Sequence, residues 1–177
     1  MILIPLSGKT AAGRPAIVDD QFADELMQYR WYCDTDRYAK RGVYCGKQDG
    51  KQKTRMIYLH REVLNLAGVD IPKGYETDHI NHDKLDNRLS NLRVVTRSQN
   101  QHNRKLQRGT SRYKGVSWEK ASGKWMAYIQ HNGKQTTLGR FADEPDAARA
   151  YDTAARRLFG EYAHCNFPIE QEELDAQ

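Results

Sequence analysis

The stretch Asp78–Asn103, DHINHDKLDNRLSNLRVVTRSQNQHN, decides the predicted fold of the first part of this chain. It contains three histidines, five asparagines and three aspartates, and one short apolar run, LRVV, at 92–95. An apolar run of this length between polar loops is typical of a strand. Thr96 is followed three residues later by Gln99, a capping-box pattern that predicts the start of a helix. The stretch is therefore predicted to run from a strand through a long loop into a second strand and a helix.

Four polar residues lie where the predicted strands and helix begin or end. Asp78 and His79 close the first predicted strand, Asn91 immediately precedes the second, and Asn100 lies in the first turns of the helix. An Asp-His pair alone is more often a turn, and asparagines usually form turns and caps because they hydrogen-bond their own backbone. The joint pattern of residues, strand and helix cap is much rarer than any part of it, which favours a functional site.

The order GYETDHINHDKLDNRLSNLRVVTRSQNQHN, at 74–103, closely resembles the HNH nuclease motif in the form found in phage and intron-encoded homing endonucleases. LHR, at 59–61, and DNRLSNLR, at 86–93, also match that family, and the resemblance covers about residues 1–105. It implies a hairpin and a helix that clasp one divalent metal ion. His60 and Arg61 of LHR face either the site or the DNA, or form an ordinary pair on a helix.

The resemblance also implies a role for each of the four positions. His79 would be the general base that deprotonates the attacking water, and Asn91 would orient the His79 ring through its side-chain carbonyl. Asp78 and Asn100 would bind the metal. The family often has histidine at the position of Asn100. The alternative ligands nearby are His82, His102 and Asn103.

These residue types suit the hydrolysis of a phosphodiester bond. Histidine has a pKa near neutrality and can activate water without a large shift. A cation stabilises the charge on the phosphate and on the leaving oxygen. Carboxylate and amide oxygens are hard ligands, so the expected cofactor is one Mg²⁺ or Mn²⁺ ion per site.

Charge is distributed very unevenly along the chain. The net charge is +5, but residues 88–140 carry 12 basic side chains and one acidic side chain. Residues 1–87 carry 13 of each sign, and residues 141–177 carry three basic and nine acidic side chains. Because ordinary surfaces mix the two signs, the basic block predicts a polyanionic partner, most commonly nucleic acid.

A second unit is predicted to begin near Tyr113. The run KWMAYIQ, at 124–130, alternates with Trp125, Ala127 and Ile129 on the inner face, and the turn His131-Asn132-Gly133 leads into a return strand at 134–141. A helix is predicted from Asp143 to Gly160, with Pro145 in its first turn. Its predicted inner stripe is Ala147, Tyr151, Ala154, Ala155 and Leu158. The predicted core also includes Trp125 and Phe159.

This unit strongly resembles the plant APETALA/ethylene-response-factor DNA-binding domain. The matching segments are YKGV, GKWMAYI, LGRF, AARAYD and NFP, over roughly 55 residues. The resemblance implies that the free face of the sheet binds DNA, and the implied contacts are Lys114, Ser117, Trp118, Lys124, Gln130, Gln135, Thr137 and Arg140. The family usually has Arg or Trp at several positions where this chain has Ser, Gln or Thr. Fewer arginines mean fewer bidentate guanine contacts, so a different target sequence is expected.

The remaining segments complete an α+β prediction. The other strands are predicted at 2–6, 14–18, 37–47 and 53–61, and the other helices at 19–29 and 59–68. The expected fold class is a hairpin-plus-helix metal-finger nuclease domain followed by a three-stranded antiparallel sheet packed on one helix. The predicted parts are 1–105 (nuclease), 106–112 (basic linker), 113–168 (DNA binding) and 169–177 (acidic tail).

Composition excludes several other classes. No apolar run approaches the roughly 20 residues of a membrane span, and no secretion signal is recognised. Three cysteines without a C-x-x-C pair argue for a reducing compartment.

The expected protein is a double-stranded DNA endonuclease, a monomer or weak homodimer, in the cytoplasm of a phage-infected or bacterial cell. The alternatives are a non-enzymatic DNA-binding regulator built on an inactive nuclease module, and an RNA-binding protein, which explains the His/Asp/Asn spacing poorly.

Overall fold

The structure is a computed structural model that describes residues 1–103 and 110–167. The chain divides into two compact units, Met1–Arg97 and Ser98–Gln177. Both units combine small sheets with helices, which confirms the predicted α+β class. The predicted acidic tail and most of the predicted linker lie outside the described residues.

The first unit contains eight strands and two helices. The strands are β1 (Ile2–Ile4), β2 (Leu6–Ser7), β3 (Ala16–Val18), β4 (Trp31–Cys33), β5 (Ala39–Gln48), β6 (Lys51–Tyr58), β7 (Tyr75–His79) and β8 (Leu92–Thr96). The helices are α1 (Ala23–Met27) and α2 (Leu59–Leu66). A third helix, α3 (Arg97–His102), begins at the boundary between the units. The sequence prediction missed β4 and extended the first helix two residues too far.

One apolar core holds the elements of the first unit together. Trp31 is almost fully buried, and its indole Nε1 donates to the Leu26 carbonyl oxygen at 2.8 Å. Helix α2 buries Leu59 and Val63 against the same core, and Leu85 reaches it from the loop between β7 and β8. The start of α2 and the β7–β8 loop are therefore anchored to one packed body.

Strands β5 and β6 extend beyond this core as a two-stranded ribbon. Strand β4 lies between β2, with which it pairs in parallel, and β5, and it reaches only the first residues of β5, at Tyr32–Lys40 and Cys33–Ala39. Beyond that point β5 pairs with β6, and most of the ribbon is exposed. At its tip Asp49 and Gly50 have φ of 52° and 74°, the left-handed conformation that tight hairpin turns require.

Strands β7 and β8 form the predicted hairpin. They pair antiparallel from Tyr75–Thr96 to His79–Leu92. Asp78 and Arg93 lie directly opposite each other in this register. Helix α3 follows directly after β8, so the predicted order of strand, loop, strand and helix is confirmed.

The second unit is a three-stranded antiparallel sheet with a long helix packed on one face. Its elements are β9 (Val116–Glu119), β10 (Lys124–His131), β11 (Lys134–Phe141) and α4 (Glu144–Phe159), with strand order β11-β10-β9. Ala127 and Ile129 are buried, as their alternation predicts. A side chain at Gly115 would overlap the Tyr151 ring, so the backbone there approaches α4 closely.

The inner stripe of α4 differs from the prediction at one position. Ala147, Tyr151 and Ala155 are buried as predicted. Leu158 is 44% exposed, and Phe159 takes the buried position one residue later. Because one residue turns a helix by about 100°, the stripe reaches the sheet through Phe159. Among the described residues, no helix has the length and apolar character needed to cross a membrane.

Candidate functional site

The loop between β7 and β8 is fixed by the side chain of Asn91. Its Oδ1 accepts from the Asn81 backbone N–H at 3.0 Å, and its Nδ2 donates to the Asp86 carbonyl oxygen at 2.7 Å. The Asn91 carbonyl oxygen accepts from the Ile80 N–H at 2.9 Å. Asn91 is buried, so these bonds are shielded from water. They tie both ends of the loop together directly after His79.

The same loop is also bound to β3. The Ile17 N–H donates to the Leu85 carbonyl oxygen at 2.7 Å, and the Asn87 N–H donates to the Ile17 carbonyl oxygen at 2.8 Å. The buried Asp86 carboxylate accepts from Arg88 Nε and Nη2 at 2.8 and 2.6 Å. These bonds from Arg88 lower the pKa of Asp86, despite its burial. The loop is thus a rigid part of the first unit.

His79 ends β7, with 5% of its surface exposed. Its Nε2 lies 3.2 Å from Oδ1 of Asn87, which is fully buried. The Nδ2 of Asn87 donates to the Lys84 carbonyl oxygen at 3.5 Å, and this bond assigns the other amide atom as the oxygen. Since an amide oxygen only accepts, Nε2 of His79 carries the hydrogen and Nδ1 carries the lone pair.

The environment of His79 favours its neutral form. Burial lowers the pKa of His79, and the Asn87 hydrogen bond and the nearby Asp78 oppose that effect without cancelling it. His60, at the start of α2, lies beside it, with ring centroids 5.3 Å apart. Of the two alternatives that the sequence left open, the structure places His60 against His79. A neutral imidazole with a lone pair is the form that accepts a proton from water.

Asp78 is held by a charged partner across the hairpin. Nε and Nη2 of Arg93 lie 2.9 and 2.8 Å from Asp78 Oδ2. Both groups are largely buried, so the contact is shielded from water. Charge-assisted bonds of this kind fix a carboxylate firmly in place.

The predicted metal ligands fit a hard cation by their chemistry. Asp78 offers a carboxylate and Asn100 an amide oxygen, the donors that Mg²⁺ and Mn²⁺ prefer. Asn100 lies on α3, in the second unit, and is half-buried. Within the described ranges no group of three or more His, Cys, Asp or Glu side chains is arranged to hold a metal ion. A metal site built only from His, Cys, Asp and Glu side chains is therefore not supported among the described residues.

The three alternative ligands have separate surroundings. His82 lies within the β7–β8 loop and has a φ of 64°. The ring of His102, at the end of α3, stacks on Phe159 with centroids 3.7 Å apart. Asn103 is buried after the same helix.

The predicted DNA-binding residues of the second unit divide into two groups. Directly opposed residues of an antiparallel pair share a face. The register pairs Ser117 and Arg140 with Met126, Gln130 with Gln135, and Tyr128 with Thr137. The face away from α4 therefore carries six of the eight predicted residues, namely Ser117, Lys124, Gln130, Gln135, Thr137 and Arg140.

Trp118 and Lys114 depart from this arrangement. Trp118 pairs with Trp125 on the helix side of the sheet, with ring centroids 5.0 Å apart. Lys114 precedes β9 and is half-buried, and its Nζ donates to the His102 carbonyl oxygen at 2.6 Å. Burial lowers the pKa of Lys114 to about 8. The prediction that these two residues share the DNA-facing surface is therefore corrected.

The outer face also carries an ion pair that the sequence did not indicate. Glu119 Oε2 and Oε1 accept from Arg140 Nε and Nη2 at 2.6 and 2.9 Å. The Arg140 bonds, with one from Ser122, lower the pKa of Glu119 to about 2. In the absence of DNA, the Arg140 guanidinium therefore pairs with the Glu119 carboxylate.

Two features of the first site were also missed by sequence reasoning. Asn87 was not singled out, because its residue type is the same as that of the neighbouring turn-forming asparagines. Arg93 had a detectable signal, since a strand that ends at His79 and one that starts after Asn91 bring Arg93 opposite Asp78 in a short hairpin. For Asn87 no pattern in the chain distinguished the contact.

Comparison with known proteins identifies both parts of the chain. A family model described as HNH endonuclease matches residues 58–102, and one described as AP2 domain matches residues 111–161. The first range contains His60, Asp78, His79 and Asn87 together. The chain belongs to the HNH endonuclease family.

Two relatives from viruses support that membership. A protein named as an uncharacterised HNH endonuclease from Acanthamoeba polyphaga mimivirus is 33% identical over 142 residues, which cover 80% of this chain and 68% of that protein. Protein 3.8 of Escherichia phage T7 is 34% identical over 114 residues, covering 64% of this chain and 93% of that protein.

Plant proteins match the second unit. Dehydration-responsive element-binding protein 2D of Arabidopsis thaliana is 47% identical over 58 residues, covering 32% of this chain and 28% of that protein. The AP2-like ethylene-responsive transcription factor TOE2 of the same plant is 42% identical over 66 residues, covering 37% and 14%. The chain spans only a small part of these plant relatives, so the likeness concerns the AP2 domain alone.

Proposed function

We propose that the chain is a site-specific DNA endonuclease of the homing-endonuclease kind. It hydrolyses phosphodiester bonds with one Mg²⁺ or Mn²⁺ ion per site and holds duplex DNA through its C-terminal sheet. The observation that carries the proposal is the buried His79, held at Nε2 by Asn87 beside the buried Asp78.

His79 acts as the general base in this proposal. Its Nδ1 lone pair removes a proton from the attacking water. As the imidazolium forms, its Nε2–H becomes a stronger donor to Asn87 Oδ1, so that contact strengthens in the transition state. Asn91 contributes through the loop, which it closes directly after His79. The orienting role is therefore shared between the two asparagines.

In this proposal Asp78 and Asn100 would hold the metal ion. A hard cation bound there would stabilise charge on the phosphate and on the leaving oxygen. Arg93 contacts Asp78 through Oδ2 and sets the direction of the carboxylate. Outer partners of this kind fix the orientation of metal ligands and adjust their donor strength.

The sheet of the second unit is the proposed duplex-binding surface. Lys124, Gln130, Gln135 and Thr137 on its outer face are exposed. With few arginines there, contacts to phosphates supply much of the affinity, and base contacts select the site.

The β5–β6 ribbon is a second proposed DNA contact. Residues 42–56 carry four basic side chains and one acidic side chain. Lys51, Lys53 and Arg55 alternate along β6, so they share one exposed face. A two-stranded ribbon fits the major groove of duplex DNA.

We also propose a partner, an oligomeric state and a cellular location for the protein. The partner is double-stranded DNA, bound by a monomer or a weak homodimer in the cytoplasm of a phage-infected or bacterial cell. One catalytic site per chain means that a monomer nicks one strand, whereas a dimer cuts both strands.

The test is incubation of the full chain with phage or host DNA in Mg²⁺, in Mn²⁺ and in excess chelator, followed by mapping of strand ends. We expect ends at defined positions with either ion and none in chelator. His79→Ala should abolish cleavage and leave DNA binding nearly unchanged, because the base acts in the transition state. His164→Ala, a histidine of the other unit, should cleave like the wild type. Equal cleavage in chelator, or binding without cleavage in either ion, contradicts the proposal, and the latter favours a DNA-binding regulator.

A further inference from the structure

Two aromatic rings, those of His60 and Tyr38, lie beside His79 in the first unit, and a third, Tyr58, packs on both of them. His60, in the first turn of α2, meets His79 edge to face, with centroids 5.3 Å apart and planes at 85°. Tyr38 lies 5.4 Å from His60 and 6.1 Å from His79. Tyr58 stacks on His60, with centroids 5.5 Å apart and planes at 25°. We call these four residues the ring cluster.

His60 is an unusual choice for a purely structural position. It is 7% exposed, and its Nδ1 is buried without a hydrogen-bond partner among the described residues. A buried nitrogen of this kind costs stability. Burial, with lesser effects of His79 and Arg61, holds the pKa of His60 at about 3. The ring therefore stays neutral near pH 7 and places no positive charge beside His79.

The Asn87 hydrogen bond alone does not define the plane of the His79 ring. A hydrogen bond at Nε2 fixes one ring atom, whereas the plane of the ring also depends on what packs against its faces and edges. A second ring set edge to face restricts rotation out of that plane, since aromatic pairs have preferred geometries. His60 supplies that second ring, and Tyr58 and Tyr38 in turn restrict His60.

We propose that His60 is a positioning residue for the cleavage reaction, because its ring holds the plane of the His79 imidazole while Asn87 holds Nε2. The proposal rests on the proposed function, in which His79 is the general base. It assigns the histidine of the LHR segment to the catalytic apparatus and gives the contact between α2 and the β7–β8 hairpin a role in catalysis.

The test compares His60→Phe with His60→Leu in the full chain. Both variants remove the imidazole and remain apolar, but only phenylalanine keeps a planar ring. We expect His60→Leu to lower kcat about 10- to 100-fold on a duplex containing the mapped site, with KM and DNA affinity within about twofold, since misorientation of a reacting group costs rate. His60→Phe should stay within about fivefold of the wild type. Leucine and phenylalanine variants with equal kcat overturn the proposal.

A second measurement does not depend on cleavage. In ¹⁵N spectra of the histidine rings at pH 8, wild type and His60→Phe should show one His79 tautomer with hydrogen on Nε2. His60→Leu should show a mixture of tautomers, because a ring that leaves its plane no longer directs Nε2–H at Asn87 Oδ1. An unchanged single tautomer contradicts the positioning role. If the wild type fails to cleave DNA while the spectra follow this pattern, the proposed function fails and the ring contact stands. If the wild type cleaves and His60→Leu cleaves equally well, the positioning role fails alone.

Discussion

Nε2 of His79 lies 3.2 Å from Oδ1 of Asn87, eight residues further along the chain. Asn91, the residue that the family resemblance assigns to orient the base, forms its described side-chain bonds with Asn81 and Asp86. Two buried asparagines thus support His79 differently. Asn87 contacts the ring, and Asn91 holds the loop that carries Asn87.

The first prediction separates these two roles by mutation. Asn87→Ala should lower kcat at least 10-fold with little effect on DNA affinity, because the tautomer of His79 is no longer fixed. Asn91→Ala should lower kcat and also lower the free energy of unfolding by about 2–4 kcal/mol, since two buried hydrogen bonds are lost. Single-turnover cleavage and urea unfolding measure the two effects. Asn65→Ala, an exposed asparagine on α2, is the control and should change neither. Because the buried Asn87 side chain also forms two hydrogen bonds, both variants should lose stability. An unchanged kcat in Asn87→Ala contradicts the division of roles.

The second prediction concerns stability in acid. The pKa of His60 is about 3 in the folded protein and near its ordinary value of 6.5 in the unfolded chain. Between those values the unfolded chain binds a proton that the folded protein excludes. The stability that His60 contributes is therefore complete above pH 6.5 and is lost as pH falls toward 3, by about 1.4 kcal/mol per pH unit for this group.

His60→Phe removes that titration and is the matched variant for this measurement. Its unfolding free energy should fall less steeply than that of the wild type between pH 6.5 and pH 4. Urea unfolding at a series of pH values measures the difference. Parallel curves for the two proteins contradict the buried, neutral state of His60. His79 also has a lowered pKa, and its contribution is common to both proteins.

Much of this architecture was readable from local pattern. The alternation at 124–130 identified the buried residues of β10, and LRVV with Thr96 and Gln99 identified β8 and α3. These signals are local, because a strand or helix repeats over a few residues. The three-residue β4 was missed although β1 and β3 have the same length, because no Gly or Pro separates it from the helix predicted at 19–29.

The predictions that were wrong or incomplete depend on distant contacts, or on which face of a strand or helix a single residue takes. Asn87 reaches His79 because the loop is bound to Ile17, and no local pattern encodes a bond across 70 residues. Trp118 was grouped with Ser117, although neighbours in a strand point to opposite faces. Leu158 and Phe159 were both predicted to be buried, and only Phe159 is, although the two are neighbours in the helix. Family resemblance suggested the site, and only tertiary contacts show which side chains lie against His79.

The third prediction tests the ribbon. The triple variant Lys51→Gln, Lys53→Gln, Arg55→Gln should bind duplex DNA more weakly than the wild type. If each side chain neutralises one phosphate, the slope of log affinity against log salt should become shallower by about 2.7. Fluorescence anisotropy over a range of salt concentrations measures this slope. Lys73→Gln, which changes an exposed lysine outside the ribbon, is the control. A triple variant with the wild-type slope excludes the ribbon from the DNA interface.

The fourth prediction concerns the ion pair on the sheet of the second unit. Glu119 is the one acidic residue between 88 and 140 and accepts two hydrogen bonds from Arg140. Glu119→Gln removes a negative charge from the proposed DNA-facing surface and leaves Arg140 able to contact a phosphate. We expect tighter DNA binding and a steeper salt dependence, by about 0.9 in slope for one added phosphate contact. The double variant Glu119→Gln, Arg140→Gln should lose that gain. If Glu119→Gln instead weakens binding, the carboxylate holds Arg140 in the orientation that DNA requires, and the view of Glu119 as a competitor for Arg140 is wrong.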